Sequence, residues 1–411
     1  MNTEAFAEKE TAFRYDFTSL IDRSGKDALA TEGPAVGFGP SLPEAPYDFI
    51  PMWVADMNFP TAPSIVREIR ERAAHPLFGY FLASDAYYEA IFRWQERHGV
   101  SGLTKSNIGY QNGVLGGVAS LLKVYTQPGE KILMHSPAYI GFSHVLADLG
   151  RQAELSPLKK DENGIWRMDY DDMERRLKEE KIHFAILCSP HNPTGRVWTK
   201  DELSAAMALF EKYDCIVASD EIWSDLVLPG HVHVPTQSVG EDAKNRTVAF
   251  YSPSKGFNLS GLWSSYHIVY NKTIRDRLER QGACTQYNNL NVLSMHATVG
   301  AYSAEGAAWL SELLKVIQTN VDYVCDFVRR ELPGVAVSRP ESTYLVFLSC
   351  DAYVRHSGRS MDEILAACWR VGVGLQDGRP FYEPCGLRMN LALPFSRVRE
   401  AMKRLKEEVF L

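Results

Sequence analysis

Short apolar runs alternate with helical patterns through the middle of the chain, from about Ile108 onward. The runs are largely apolar and do not alternate with polar residues, which is typical of strands covered on both faces. Helical patterns lie between them, for example Asp169–Lys181 and Thr199–Tyr213. This alternation predicts a mostly parallel sheet with helices on both faces. The predicted strands are Lys131–His135, His183–Ser189, Asp214–Ser219, Thr247–Tyr251 and Tyr266–Tyr270.

The two ends of the chain follow different patterns. Residues 1–60 are rich in loop-forming residues, and two helices then follow, one from Thr61 or Pro63 to about Ala74 and one over Ser84–His98. After Asn271 the sequence becomes helix-rich. We therefore expect a large α/β domain over residues 61–300 and a smaller α+β domain built from 1–60 and 301–411. Its predicted elements are a long helix over 305–330, strands at 343–349 and 387–391, and helices at 361–370 and 397–409.

Composition and charge narrow the class of protein. The 411 residues are 45% hydrophobic and 23% charged, which is enough apolar material for a large core. The net charge of −7 argues against a nucleic-acid-binding or anionic-membrane surface. There is no apolar run of about 18 residues, so we expect no transmembrane helix. The segment Met1–Glu10 is acidic and lacks an apolar core, so we expect no signal peptide.

The seven cysteines are scattered and contain no Cys-x-x-Cys pair. An odd, dispersed set indicates reduced thiols in a cytoplasmic protein, and it argues against a disulfide framework or a zinc site.

A single lysine follows the predicted strand Thr247–Tyr251. Pro253 and Gly256 break the strand on either side of Lys255. A lysine on such a turn can hold an aldehyde cofactor as a Schiff base, and Ser252 and Ser254 can donate hydrogen bonds to a phosphate. Taken alone, the alternative is a solvated loop lysine.

Two further segments carry candidate cofactor contacts. The glycine-rich run Tyr110–Val118 opens a helix, and exposed backbone amides at a helix N-terminus favour an anion such as phosphate. A close helix–strand contact would explain the glycines equally well, and the run does not match the dinucleotide-binding pattern. Tyr139, just past a strand end, could lay its ring on a planar cofactor or could simply pack in the core.

Three polar residues complete the set. Asn192 lies in a rigid turn with two prolines, where it could donate to a phenolate oxygen, although an ordinary loop is the alternative. Asp220 ends a strand and could keep a pyridine nitrogen protonated, or it could cap a helix. Arg388 lies inside an apolar strand, where its planar guanidinium suits a substrate carboxylate or an internal salt bridge.

Asn192, Asp220, Lys255 and Arg388, in this order, resemble the fold-type I pyridoxal-phosphate (PLP) enzymes of the class I/II aminotransferase superfamily. The resemblance covers nearly the whole chain and is greater to the cystathionine β-lyase-like (C–S lyase) branch. The segments that carry it are Tyr15-Asp-Phe-Thr, Pro51-Met-Trp-Val-Ala-Asp-Met57, Phe78-Gly-Tyr80, Pro190-His-Asn-Pro-Thr-Gly-Arg196, Ser219-Asp-Glu-Ile222 and Pro253-Ser-Lys255 with Phe257-Asn-Leu259.

This resemblance implies a role for each candidate. Lys255 would bind the aldehyde of pyridoxal 5'-phosphate, Asp220 would pair with the ring nitrogen and Arg388 would bind the substrate carboxylate. Asn192 would bond the ring's 3-oxygen, and Tyr139 would stack on the ring. The phosphate would be held by Leu115, Gly116, Ser252 and Ser254.

The resemblance also implies a homodimer with shared active sites, because Tyr80 would reach the phosphate of the neighbouring subunit.

Three positions depart from the family pattern. Trp223 stands where relatives often have His or Tyr; an indole could donate to the 3-oxygen but cannot relay a proton. Gly256 replaces a more usual Thr or Ala. Trp263 stands where aminotransferase relatives place a phosphate-binding Arg.

The implied reaction is β-elimination from L-cystathionine or another L-cysteine S-conjugate, giving a thiol, pyruvate and ammonia. Transamination of an amino acid uses the same residues and is the first alternative. A non-catalytic regulatory protein with a PLP-enzyme fold is the second.

Overall fold

The computed structural model describes residues 13–410, so the segment Met1–Glu10, on which the expectation of no signal peptide rests, lies outside the described residues. The chain forms two compact units. The larger contains Thr61–Asn192 and Arg196–Leu310; the smaller contains the described residues up to Pro60, Pro193–Gly195, and the chain from Ser311 onward. The division into domains of 61–300 and of 1–60 with 301–411 stays a prediction.

A seven-stranded sheet forms the centre of the larger unit. Six of its strands run in the same direction, and Ser265–Ile268 is antiparallel to both of its neighbours. The expected mostly parallel sheet is therefore confirmed. In spatial order the strands are Ile108–Gln111, Ser265–Ile268, Thr247–Tyr251, Ile216–Asp220, Phe184–Cys188, Lys131–Ser136 and Gln152–Pro157.

The inner strands of this sheet are buried on both faces, which explains why they are largely apolar. Along Phe184–Cys188, alternate side chains enter two separate apolar clusters. Phe184 and Ile186 join the cluster that contains helix Gly113–Tyr125, and Ala185 joins the cluster that contains helix Lys200–Lys212. A strand of this kind has no polar face, so the alternating pattern of a half-exposed strand is absent.

Helices cover the sheet, and several begin where the sequence provides a cap. Ser84 accepts the Tyr87 N–H at the start of one helix, and Thr199 forms a capping box with Glu202 at the start of another. The helices of this unit are Pro63–Ala74, Asp85–Arg97, Gly113–Tyr125, Ile140–Asp148, Tyr170–Glu179, Lys200–Lys212, Glu241–Arg246, Pro253–Gly256, Lys272–Thr285 and Val292–Ala301. A short hairpin pairs Lys159–Lys160 with Trp166–Arg167.

The smaller unit contains a four-stranded antiparallel sheet, in which Gly386–Asn390 lies between Leu345–Ser349 and Gln376–Asp377. Ala336–Val337 pairs with the outer edge of Leu345–Ser349. In the N-terminal part of the smaller unit, Ile50–Pro51 pairs in parallel with Val373–Gly374. Its helices include Leu29–Glu32, Asp351–Ser357, Met361–Arg370 and Phe395–Arg404. The long helix Ala304–Glu331 begins in the larger unit and continues in the smaller one from Ser311.

Some predicted element ends were wrong. The strand expected from residue 343 begins at Leu345, because Thr343 has a φ of +71° and cannot continue an extended strand. The helix expected over 397–409 is α-helical only over Phe395–Arg404 and continues as a π-helical turn over Leu405–Val409. The last strand of the predicted series ends at Ile268, not at Tyr270.

Within residues 13–410, no helix is both long enough and apolar enough to cross a membrane.

Candidate active site

The predicted cofactor-binding residues follow strand ends at one edge of the large sheet. Asp220 is the last residue of its strand and pairs in register with Cys188, the last residue of the next. Asn192 follows Cys188 by four residues, and Lys255 follows the strand Thr247–Tyr251 by the same number. Because the carboxyl ends of parallel strands meet at one edge, the sheet brings these side chains to the same side of the larger unit.

Lys255 lies on a four-residue helix, Pro253–Gly256, which replaces the turn expected from the sequence. Its Nζ lies 5.8 Å from the centre of the Trp223 ring, and Trp223 is only 2% exposed. The amine therefore lies against the indole of the residue whose identity departs from the family pattern.

Asp220 is buried, and its charge is correspondingly disfavoured. Burial raises the pKa of Asp220 from 3.8 to about 7, against the opposing effects of the Ile222 backbone N–H and the Lys255 charge. The Ile222 N–H donates to Asp220 Oδ1 at 3.0 Å. A buried carboxylate of this kind is stabilised by a cation, and a protonated pyridine nitrogen is such a cation.

Ser252 and Ser254 order the helix that carries Lys255. The Ser252 hydroxyl accepts the Ser254 N–H at 3.1 Å and donates to the Ser264 carbonyl at 3.2 Å. Ser252 is thus an N-cap in this structure, and its hydroxyl proton is directed at the backbone. Both serines are buried.

The turn that contains Asn192 is tied to the end of its strand. The Cys188 thiol donates to the Pro190 carbonyl at 3.3 Å, and the Asn192 N–H points to Cys188 Sγ at 3.4 Å. Burial, together with the neighbouring Asp220 charge, raises the pKa of the Cys188 thiol, which therefore stays protonated. The Trp198 indole donates to the Cys188 carbonyl at 2.9 Å.

The glycine-rich segment opens helix Gly113–Tyr125 without a side-chain cap from Asn112. Gly113 has a φ of +73°. The N–H groups of an uncapped first turn are suited to a phosphate, and Leu115 and Gly116 lie in this turn. A β-carbon at position 116 would lie 2.9 Å from the Tyr287 hydroxyl, so the segment is closely packed as well.

The side chains of Tyr139 and Leu115 both lie close to Gly141. A β-carbon built on Gly141 would lie 2.5 Å from the Tyr139 ring and 2.7 Å from the Leu115 side chain. The Tyr139 ring is partly buried. An aromatic face, a helix N-terminus, a buried carboxylate and a lysine at one sheet edge together fit a phosphorylated pyridine aldehyde.

Tyr80 and Trp263 differ from the other candidates in their exposure. Tyr80 is fully exposed, and Trp263 is 59% exposed with a φ of +50°. The Trp263 carbonyl accepts the Tyr110 hydroxyl at 2.6 Å, and its ring would lie 3.0 Å from a β-carbon at Gly113. Trp263 therefore packs beside the first turn of the glycine-rich helix.

Arg388 belongs to the smaller unit and is 3% exposed. Its guanidinium donates to the Gln376 side-chain oxygen and, at 3.1 Å, to the Trp53 carbonyl. It lies 4.8 Å from the centre of the Phe381 ring. These contacts hold the guanidinium plane in a fixed orientation.

Sequence reasoning missed a buried carboxylate beside Asp220. Glu221 is completely buried; His233 Nε2 lies 2.7 Å from it, the Tyr251 hydroxyl donates at 2.7 Å, and the Thr236 N–H donates at 3.0 Å. Burial acts to raise the pKa of Glu221, but the bonds from His233 and Tyr251 outweigh it and lower the pKa. The sequence signal for Glu221 was its position directly after Asp220, because a carboxylate at the end of a buried strand needs several hydrogen-bond donors.

Comparison with known proteins matches residues 48–405 to the family model for aminotransferase class I and II. The chain is 31% identical to cystathionine beta-lyase PatB of Bacillus subtilis over 87% of this chain and 92% of that protein. The PLP-bound C–S lyase from Staphylococcus hominis is 27% identical, with a TM-score of 0.87 over 98% of this chain and 100% of that chain. Cystalysin from Treponema denticola, which contains a pyridoxal 5'-phosphate cofactor, is 27% identical with a TM-score of 0.87 over 96% and 98% of the two chains.

Proposed function

The chain belongs to the aminotransferase class I and II family, and from that premise we propose that it is a PLP-dependent C–S β-lyase. It cleaves L-cystathionine or related L-cysteine S-conjugates to a thiol, pyruvate and ammonia. The observation that carries the proposal is similarity over nearly the full length to proteins named cystathionine β-lyase and C–S lyase. The lysine and the buried carboxylate at one sheet edge support it.

The proposed roles follow from the chemistry of each side chain. When bound, the cofactor supplies an electron-accepting ring that stabilises negative charge at the substrate Cα. Lys255 would hold the cofactor and, as a free amine, would accept the Cα proton. Asp220 holds the ring nitrogen in its protonated form. Arg388 binds the substrate carboxylate and so sets which Cα bond is cleaved.

The remaining candidates hold the cofactor in place. Asn192 donates to the ring's 3-oxygen, as the Trp223 indole could, and Tyr139 covers one face of the ring. The amides of Leu115 and Gly116 bind the phosphate, with the Ser254 hydroxyl and with the Ser252 hydroxyl once its proton turns from the Ser264 carbonyl to the phosphate. The Cβ–S bond breaks with its electron pair on sulfur, the thiolate takes up a proton, and water converts the remaining fragment to pyruvate and ammonia.

The test is incubation of the PLP-loaded protein with L-cystathionine and no keto acid. We expect pyruvate, ammonia and thiol in equal amounts. Turnover only in the presence of an amino-group acceptor would contradict the lyase assignment and would support transamination, the second candidate, for which the matched family is named.

Replacing Arg388 with alanine should raise KM for the substrate by roughly 10²-fold and change kcat less, because a charged, forked contact to the carboxylate is lost. Steady-state pyruvate release measures both constants. Arg388→Lys is the matched control, since it keeps the positive charge and loses the forked guanidinium. Its KM should lie between those of wild type and Arg388→Ala. An unchanged KM together with a lowered Tm would show that Arg388 is purely structural.

We further propose that the active form is a homodimer in which Tyr80 reaches the phosphate bound by the partner. An exposed apolar segment supports this: Leu77 is 67% exposed, Phe78 56% and Leu82 90%, and Tyr80 lies between them. Monomeric proteins rarely expose so many large apolar side chains together.

Tyr80→Phe should retain the dimer but weaken PLP retention several-fold, because only the hydroxyl is lost. Light scattering measures the mass, and the absorbance remaining after gel filtration measures retention. Tyr382→Phe, another exposed tyrosine, serves as control and should behave as wild type. A wild-type mass of one chain at micromolar concentration would contradict the dimer.

A cytoplasmic location is also proposed. All seven cysteines are free thiols, and five of them are buried, which is consistent with a reducing compartment.

A further inference from the structure

A second buried carboxylate lies close to the helix that carries Lys255. Asp225 is 7% exposed, and its Oδ1 accepts the Trp94 indole N–H at 2.8 Å. His98 Nε2 lies 2.9 Å from the same oxygen. Trp94 and His98 are both at the C-terminal end of helix Asp85–Arg97, so one helix end makes two contacts with the same carboxylate oxygen.

The other side of Asp225 contacts Gly256, the residue directly after Lys255. A β-carbon at position 256 would lie 3.1 Å from Asp225 Cβ and 3.2 Å from Oδ2. These distances are shorter than ordinary van der Waals contact, so a larger residue at 256 requires Asp225 to move. The held carboxylate therefore accounts for glycine at this position.

Trp94 also contacts the residue that follows. Its ring packs edge-on against Phe257, with ring centres 5.7 Å apart, and stacks on Tyr302 at 4.6 Å and 8°. Phe257 is completely buried, and its carbonyl accepts the Thr61 hydroxyl at 2.7 Å. These contacts connect Trp94 and Asp225 to each other and to the two residues that follow Lys255.

A helix of four residues needs such support. Pro253–Gly256 is closed by the Phe257 N–H to the Pro253 carbonyl at 2.9 Å, and so short a helix is unstable without tertiary packing. The position of Lys255 therefore depends on what packs against the end of its helix.

We propose that Trp94, His98 and Asp225 form a lysine clamp, a set of positioning residues that fixes the direction in which the Lys255 side chain leaves its helix. The clamp rests on the proposed function, because it matters only if Lys255 holds the cofactor. The three residues act through Gly256 and Phe257 and are not assigned a contact with substrate or cofactor.

Trp94→Phe tests the clamp, because it removes the N–H that holds Asp225 and keeps a ring against Phe257. Cofactor-free protein is mixed with pyridoxal 5'-phosphate, and the visible band is followed in time and then titrated with pH. We expect covalent uptake to be roughly tenfold slower than in wild type and the pH midpoint of the band to shift, since misplaced reacting groups react more slowly.

Trp369→Phe is the matched control. Trp369 is also 2% exposed, and its indole donates a single bond to the Leu375 carbonyl at 2.8 Å in the smaller unit. We expect a similar loss in Tm from the control and no change in the uptake rate or the pH midpoint.

Two further variants keep the proposal testable if Trp94→Phe does not fold. His98→Ala, at a partly exposed helix end, should slow uptake in the same direction. Gly256→Ala should also slow it, and the double variant His98→Ala/Gly256→Ala should slow it by less than the product of the two, because both changes act on Asp225.

The clamp is overturned if Trp94→Phe or His98→Ala lowers Tm as the control does while uptake and pH midpoint stay at wild-type values. PLP uptake is measured without substrate, so a failure of the lysine clamp can be distinguished from a failure of the lyase assignment. Wild-type protein that takes up PLP but releases no thiol contradicts the lyase assignment alone.

Discussion

Lys255→Ala should abolish covalent capture of pyridoxal 5'-phosphate and lower turnover by at least roughly 10³- to 10⁴-fold. Two losses combine: no other residue is proposed to bind the aldehyde, and no other residue is proposed to accept the Cα proton. Absorption spectroscopy of the dialysed protein measures the first loss, and pyruvate release from L-cystathionine measures the second.

Lys272→Ala is the matched control for this variant. Lys272 is an exposed lysine at the start of helix Lys272–Thr285, paired with Asp276. Its replacement should leave both the spectrum and the rate unchanged. A Lys255→Ala protein that kept the visible band or more than a few per cent of the rate would contradict the assignment of this lysine.

Asp220→Ala should retain some cofactor but lose most of the rate, by roughly 10³-fold. Without the carboxylate, the ring nitrogen is no longer held protonated, and the ring accepts negative charge from Cα less well. Single-turnover measurement of Cα proton loss reports this step directly. A rate near that of wild type would contradict the role of Asp220.

The pH dependence of stability gives an independent check on Asp220. In the cofactor-free protein its pKa is raised by burial from 3.8 to about 7. Between these two values the folded protein keeps a proton that the unfolded chain has lost, so the free energy of unfolding contributed by this group falls as pH rises from about 4 to 7. Above about pH 7 both states are ionised, and the penalty is constant.

Asp220→Ala removes this penalty. Relative to wild type, the cofactor-free variant should therefore gain stability from about pH 4 to pH 7 in chemical denaturation. The surface control Asp201→Ala, in the first turn of helix Lys200–Lys212, should show no such gain. A constant difference between Asp220→Ala and wild type over this range would contradict the raised pKa.

The sheet edge that gathers the candidates was predictable from the order of the chain. Parallel strands present their carboxyl ends together, so polar residues at or just after the strand ends Cys188, Asp220 and Tyr251 come to one edge of the sheet. An error of a residue or two in the strand ends does not disturb this arrangement.

The lysine clamp was not predictable in the same way. Trp94 and Asp225 lie 131 residues apart in the sequence, and their contact depends on how a helix end packs on the short 3-10 helix Ser224–Leu226. The unusual Gly256 was a visible signal, but its cause was a neighbour that periodicity and motifs do not reveal.

The partners of Arg388 illustrate a second limit. The sequence predicted an anionic partner for the buried guanidinium, either a substrate carboxylate or an internal salt bridge, and the structure provides two neutral oxygens, those of the Gln376 side chain and the Trp53 carbonyl. Which oxygens these are depends on the pairing of Gln376 with Arg388 in the small sheet, a register that short strands leave undetermined in the sequence.

Site mapping of the cofactor tests the central claim most directly. The protein loaded with pyridoxal 5'-phosphate is reduced with borohydride, digested, and analysed by mass spectrometry for the peptide that carries the added pyridoxyl phosphate group. We predict one modified residue, Lys255, at close to one group per chain. Modification of a different lysine, or none at saturating cofactor, would contradict the account.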